Sequence, residues 1–511
     1  MRGKWSGFGL GLVLLTLLHL SSQAPQQDPR DYYVGAVVEF APTTIYGNGP
    51  ATLKVNAEAY IKYIEDASQQ GADIIVFPED GLTSVMVPNK SGMKPWSTVI
   101  PSALDEYVPC TGNREGVSDT LRMVSCAAIE NRIYVVINIA ERRVDSKNET
   151  HYHNSNVVFD RTGKIIARYR KVNLYMEYPR FDVLDTPEIV TFDTDFGVKF
   201  GTFICFDMLF RVPALNLTRI EGVKNFVYPV AWGSEVPLLT AVQMQFGWSF
   251  SENVNLLAAG YHGTEFGSMG SGIYLGRNGI ANITFSQHPD RKLLISRIPK
   301  TPGLARKPDE GIKMEMEMEE EKTNLLNARR DPPYDPKGKV EKVQGMIMLV
   351  DDFEEFNTVR LNGSMSRSVC HRGFCCSFDI ETTSTDSSTN YRAVVYNGTR
   401  MIGQQAELGI RVCALVQCSA DSVHSCTSVQ PSNTVFTKLK IKATFDDYPQ
   451  LFVMPTLMDS TLFPFKHWTY TTDTQGQHTT VTLALNKPNT DIVSFGIYAR
   501  DYSLDYWKQL P

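Results

Sequence analysis

Residues 32–40, YYVGAVVEF, are an apolar run rich in β-branched and aromatic side chains, the composition of a buried strand. A second such run, DIIVF, follows at 73–77. Between them Ala57, Tyr60, Ile61 and Ile64 fall at i, i+3, i+4 and i+7, which puts them on one face of a helix that Gly71 ends. The unit is therefore strand, helix, strand. Outward from it the alternation continues. Val117, Leu121, Val124 and Ala128 mark a second helix before RIYVVINIA (132–140). Further strands read at GKIIARYRK (163–171), KFGTFICF (199–206), NFVYPVAW (225–232), NLLAAG (255–260) and KLLISRI (292–298). Such alternation predicts a layered α/β domain over residues 31–300.

The pattern breaks at 301–342, where dense charge and an alternating Met-Glu run read as an exposed linker or surface loop. From 343 to 511 the chain turns to short Thr-, Val-, Tyr- and Phe-rich strands, clearest at 434–445 and 479–486, with six cysteines. That describes a smaller, disulfide-stapled β domain.

At 511 residues, 42% hydrophobic and 21% charged, the chain has material for a large core and the composition of a globular protein. Its net charge of −6 argues against a nucleic-acid partner, which needs a basic surface. Residues 1–24 carry Arg2 and Lys4, an apolar run at 8–20 and then small residues, the layout of a secretory signal and too short for a membrane span. The C-terminal stretch lacks the hydrophobic tail of a lipid-anchor signal. A secreted, extracellular protein without a stable membrane anchor is expected. The sequons at Asn89, Asn148, Asn216, Asn282, Asn362 and Asn397 are candidate glycosylation sites in that compartment.

Nine cysteines in an oxidising compartment leave one unpaired. Cys110, Cys126, Cys370, Cys375, Cys376, Cys413, Cys418 and Cys426 are the expected disulfide partners, with their connectivity open. Cys205 lies 79 residues past Cys126 and 165 before Cys370, which makes it the odd one out. Zinc spacing is missing, since no cysteine pair is C-x-x-C, and no G-x-S-x-G elbow supports a serine triad.

Three strand ends carry complementary chemistry. VFPED puts Glu79 just past a buried strand, YRKVNLY does the same for Lys171, and FICFD holds Cys205. Reactive groups gather at the carboxyl ends of strands in α/β folds. A thiol, a carboxylate and an ammonium suit amide cleavage. Glu79 can take the thiol proton and return it to the leaving amine, while Lys171 and the Phe206 backbone N–H can hold the developing oxyanion. Trp232, past NFVYPV, is a candidate wall of the acyl pocket. His153 and His262 are weighed as substrate contacts against the commoner structural role.

With 92 and then 34 residues between them, Glu79 in FPED, Lys171 in RYRKVNLY and Cys205 in ICFD resemble the Glu-Lys-Cys motifs of the nitrilase superfamily of carbon–nitrogen hydrolases. YPVAW (228–232), GSGIY (270–274) and the cysteine-rich C-terminal part resemble its biotinidase and vanin (pantetheinase) branch. The resemblance covers residues 32–300 closely and 343–500 loosely. It implies an αββα sandwich with Glu79 as general base, Lys171 as oxyanion stabiliser, Cys205 as nucleophile and a thioester intermediate, with no metal or organic cofactor. Glu177 is the nearest candidate for the second glutamate such enzymes often carry, although MEYPRFD fits that pattern poorly. The substrate is then a small-molecule amide. Pantetheine, cleaved to pantothenate and cysteamine, is preferred, and release of biotin from biotinyl-lysine amides such as biocytin is the alternative. An inactive secreted binding protein of the same fold is the reading from another class, and loss of any of the three residue types would have favoured it. The C-terminal domain is expected to shape or cover the pocket.

Overall fold

The computed structural model describes residues 30–285, 287–288, 292–303, 338–402 and 406–507. The signal-like segment and most of 301–342 lie outside them. Two six-stranded sheets form the centre of the first domain. One is ordered β13 (Lys292–Pro299), β1 (Tyr32–Glu39), β2 (Ile74–Val76), β3 (Tyr134–Val144), β4 (Thr150–Phe159), β5 (Ile165–Arg170). The other runs β12 (Ile280–Thr284), β11 (Ser271–Leu275), β10 (Asn255–Gly260), β8 (Asn225–Val230), β7 (Lys199–Thr202), β6 (Thr191–Asp193). The inner strands β1, β2 and β3 are parallel, as are β7, β8 and β10, and antiparallel strands flank both sets.

The period of two along each strand builds the layers. Tyr33 and Val37 of β1, Val76 of β2 and Val136 of β3 pack against Phe200, Val227 and Leu257 between the sheets. Their neighbours Ala36, Val38, Ile75 and Val135 face the opposite way, under α1 (Gly49–Gln69) and α2 (Asp119–Asn131). α1 presents Leu53, Ala57, Tyr60 and Ile64 to that layer, with Ile61 half-buried at its edge. Asn48 caps α1 by accepting from the Ala51 N–H, and Ser118 caps α2 through the Leu121 N–H. On the far side, Phe226, Tyr228 and Leu256 pack under Val242, Met244 and Trp248 of α4 (Ala241–Glu252), which follows the one-turn α3 (Asn216–Arg219). The result is the αββα sandwich of the nitrilase fold.

The C-terminal domain adds two antiparallel sheets. One is ordered Asn357–Arg360, Asn390–Ile402, Ala406–Cys418, Ile492–Arg500, Phe452–Asp459, with Tyr506–Trp507 paired to the third. The other is Met365–His371, Phe374–Ser384, Val435–Phe445, His478–Leu485, Trp468–Gln475. Disulfides join Cys110 to Cys126, Cys370 to Cys375, Cys376 to Cys413 and Cys418 to Cys426, leaving Cys205 as a free, buried thiol. The domain is packed onto α4. A Cβ on Gly247 would come within 2.7 Å of Met454 Sδ and 2.9 Å of Pro455 O, so only glycine permits this approach. Gln243 Nε2 crosses the same interface to Thr456 Oγ1 and Ser494 Oγ, each at 3.1 Å. A second junction is a small sheet in which β14 (Val340–Val343) pairs with β15 (Met346–Val350), and β15 pairs in parallel with β9 (Glu235–Val236) of the first domain.

Among the described residues no helix is long and apolar enough to cross a membrane. Of the sequon asparagines, Asn89, Asn148 and Asn362 are exposed, while Asn216, Asn282 and Asn397 are half-buried. Asn397 Nδ2 donates to Arg372 O.

Candidate active site

Each of the three side chains stands just beyond a strand, and two of those strand ends have an identifiable cause. Phe77 N still pairs with Val136 O at 3.0 Å, but Pro78 has no N–H to continue the ladder, and Glu79 turns into the space beyond. Lys171 follows β5 directly, its N–H held by Asn154 O at 2.9 Å. The stretch KFGTFICF differs from the expected strand: β7 stops at Thr202, and Cys205 opens a 3₁₀ turn, Cys205–Leu209, at φ +45°. A non-glycine residue in this left-handed region costs about 1–3 kcal/mol and persists only where its surroundings impose it. Asp207 does much of the imposing. Its carboxylate accepts from Ile204 N (3.0 Å), Tyr169 OH (2.7 Å), Asn173 N (2.9 Å) and Asn173 Nδ2 (2.9 Å). Tyr228 OH donates to Cys205 O at 2.7 Å from the adjacent strand.

The three groups converge with a fourth. Lys171 Nζ donates to Glu79 Oε1 at 2.6 Å and to Glu177 Oε2 at 2.5 Å. Asn154 Nδ2 bridges the same carboxylates, 2.8 Å from Glu79 Oε1 and 2.6 Å from Glu177 Oε1. The other oxygen of Glu79 accepts from Ala231 N at 2.9 Å, and Ala231 lines the same cavity as Glu79 and the Cys205 thiol. Glu79 and Lys171 are each 2% exposed, Cys205 5% and Glu177 8%. They line one cavity of about 310 Å³, together with Asp80 and Tyr175. A recess of about 30 Å³ leads off beside Cys205, walled by Phe206, Trp232, Leu239, Arg400 and Ile402. Phe206 is the second residue of the cysteine's own turn, and Trp232 Nε1 donates to Leu239 O at 3.0 Å.

Electrostatics follow from burial and pairing. Burial pushes the Cys205 thiol well up, and the Glu79 charge adds to this against the opposing pull of Lys171, so the resting thiol is protonated. Burial works to lower Lys171, but the carboxylates of Glu177 and Glu79 outweigh it and hold the ammonium well above the usual lysine range. Asp80 is pushed up by burial and by the neighbouring charges of Glu79 and Glu177.

Neither His153 nor His262 lines the cavity. His153 Nδ1 bonds Asp182 O at 2.9 Å, and burial drives its pKa down to about 4. His262 Nδ1 lies 2.7 Å from Glu39 Oε1. Sequence reasoning missed Asn154, the Ala231 N–H and Asp80. One signal was available: HYHNSNVVF places Asn154 and Asn156 two apart, on one face of a strand that is buried from Tyr152 to Phe159.

Residues 36–257 match the family model for carbon–nitrogen hydrolases, and residues 346–505 match the vanin C-terminal domain. Vanin-like protein 2 of Drosophila melanogaster is 33% identical, over 98% of this chain and 95% of its own. Human pantetheinase is 29% identical, over 77% of this chain and 74% of its own. Among solved structures, an amidase of the nitrilase superfamily from Nesterenkonia AN1 aligns at 16% identity and a TM-score of 0.40, over 53% of this chain and 93% of its own. The fold and the two family matches define a hydrolase acting on carbon–nitrogen bonds other than peptide bonds. Within that class, the chain belongs to the nitrilase superfamily, in its vanin branch.

Proposed function

We propose that the protein hydrolyses pantetheine to pantothenate and cysteamine through a Cys205 thioester, outside the cytosol. The observation that carries the chemistry is the Lys171 ammonium held between two carboxylates in the cavity that also holds the one free thiol among the described residues. Cys205 attacks the amide carbonyl as Glu79 takes its proton. The raised thiol makes this transfer concerted with attack rather than prior to it. Negative charge gathers on the carbonyl oxygen, and Lys171 with nearby backbone N–H groups stabilises it; one such donor is worth about 3–4 kcal/mol where measured. Glu79 then passes the proton to the departing amine. Water, deprotonated by the same carboxylate, attacks the thioester, the sulfur leaves, and the carboxylic acid product is released with the thiol restored. Glu177 and Asn154 keep Glu79 and Lys171 in register throughout.

Pantetheine as the substrate is supported by the relatives named pantetheinase and by a cavity of about 310 Å³ that leaves room for a small acyl arm beside Cys205. Four disulfides suit an oxidising compartment. Side-by-side assay of pantetheine and biocytin tests the assignment. Cysteamine release that survives EDTA and disappears in Cys205→Ala is expected. Biotin release from biocytin, without cysteamine from pantetheine, would replace it with the biotinidase reading.

A further inference from the structure

Arg400 comes from the C-terminal domain, near the end of strand Asn390–Ile402, yet it walls the recess beside the Cys205 thiol. It is 2% exposed. Its Nη2 pairs with the carboxylate of Glu235, 165 residues earlier, and lies 3.8 Å from Asp351 Oδ1. Burying such a group of charges is a poor route to stability, since apolar residues of similar volume commonly do as well. Its location is therefore the more informative property.

Glu235 sits in the strap 231–236 that leaves β8. At the start of the strap, the Ala231 N–H holds Glu79 Oε2. Trp232 and Gly233 then form the wall of the recess next to Cys205. Further on, Ser234 N donates to Gly267 O at 2.9 Å, and Ser234 O accepts from Leu349 N at 3.0 Å. Asp351 N closes the pairing onto Val236 O at 3.0 Å. One short segment thus touches the candidate base at one end and the C-terminal domain at the other. The Arg400–Glu235 pair is its side-chain anchor.

We infer that Arg400 is a positioning residue for the reaction: by holding Glu235 it keeps the strap 231–236 against Glu79 and Cys205, so the active site is complete only with the C-terminal domain in place. The inference rests on Cys205 as the nucleophile, and does not depend on which amide is cleaved.

The test uses the full chain with Arg400→Gln, Arg400→Lys and Glu235→Gln, following Cys205 alkylation by iodoacetamide, kcat and KM, with melting curves to verify folding. Misplacing a reacting group by an ångström costs about a hundredfold, so a loss of about tenfold or more in alkylation rate and kcat is expected for both glutamine variants. KM should move less, and Arg400→Lys should recover most of the loss. Folded glutamine variants with wild-type alkylation and kcat would overturn the inference. So would failure of both to fold, because the pair would then be purely structural. A wild-type chain whose Cys205 resists alkylation would remove the nucleophile assignment and this inference together.

Discussion

Lys171 Nζ lies 2.5 Å from Glu177 Oε2, six residues further along the chain, and the pair is buried. Glu177 is the largest of the charges that keep this lysine protonated. Replacing it with glutamine keeps the volume and removes the charge, so burial counts for more and the Lys171 pKa falls. A base whose pKa falls loses its proton at lower pH. Glu177→Gln should therefore move the alkaline limb of the kcat profile to lower pH, while activity near the optimum falls less. An alkaline limb that stays in place would mean that Lys171 is not the group titrating there.

Lys171→Met leaves Glu79 and Glu177 facing each other through Asn154. Loss of an oxyanion donor costs about 10²–10³ in kcat. Breaking a buried ion pair by removing one partner costs about 3–5 kcal/mol, less whatever is recovered when one carboxylate takes up a proton. Both losses are expected, read from single-turnover rates and from denaturant midpoints. A folded variant with near-normal turnover would dismiss the charge of Lys171 from the chemistry.

Asp207 is buried, which pushes its carboxyl up to about 6, against the lowering effect of its Tyr169 hydrogen bond. In the unfolded chain an aspartate titrates near about 3.9. Between those values the folded state binds more protons than the unfolded state, so this group adds stability as pH falls from about 6 toward 4. The span of two units is on the order of 3 kcal/mol. Asp207→Asn should lack that slope. The difference in unfolding free energy between wild type and variant should grow in favour of wild type on acidification through this window, and a flat difference would contradict the assignment.

Gly247→Ala sets two effects against each other in α4. Alanine improves helix propensity by about 1 kcal/mol. The new Cβ, however, would stand 2.9 Å from the backbone oxygen of Pro455 and 2.7 Å from Met454 Sδ. Methionine can swing aside but the carbonyl cannot, and overpacking typically costs about 1–3 kcal/mol. Net destabilisation is expected, seen as a lowered melting temperature. A variant more stable than wild type would show that the two domains are less tightly packed at α4.

The sequence by itself determined the layers and brought out Glu79, Lys171 and Cys205, three side chains that line one cavity. The period of two in YYVGAVVEF and the helical spacing of Ala57, Tyr60 and Ile64 act over a few residues, through sterics and burial, and so can be read locally. Pro78 ends its strand for an equally local reason. An odd count leaves one cysteine over, and the distance of Cys205 from all the others along the chain singled it out; the other eight do pair. The tertiary structure decided which polar groups meet. Glu177 was the nearest candidate for a second glutamate although its surroundings fit the pattern poorly, and only the turn of 172–177 back toward Lys171 brings its carboxylate to the ammonium. Asn154 reaches Glu79 across 75 residues and Ala231 reaches it across 152. KFGTFICF has the composition of a longer strand, but Asp207 finds partners at Tyr169 and Asn173 and bends it into the turn that brings Cys205 to the cavity lined by Glu79. A buried carboxylate or ammonium must find a partner wherever the packed chain supplies one. Sequence spacing does not constrain that choice, so the wiring of the site and the reach of Arg400 into it were set by packing alone.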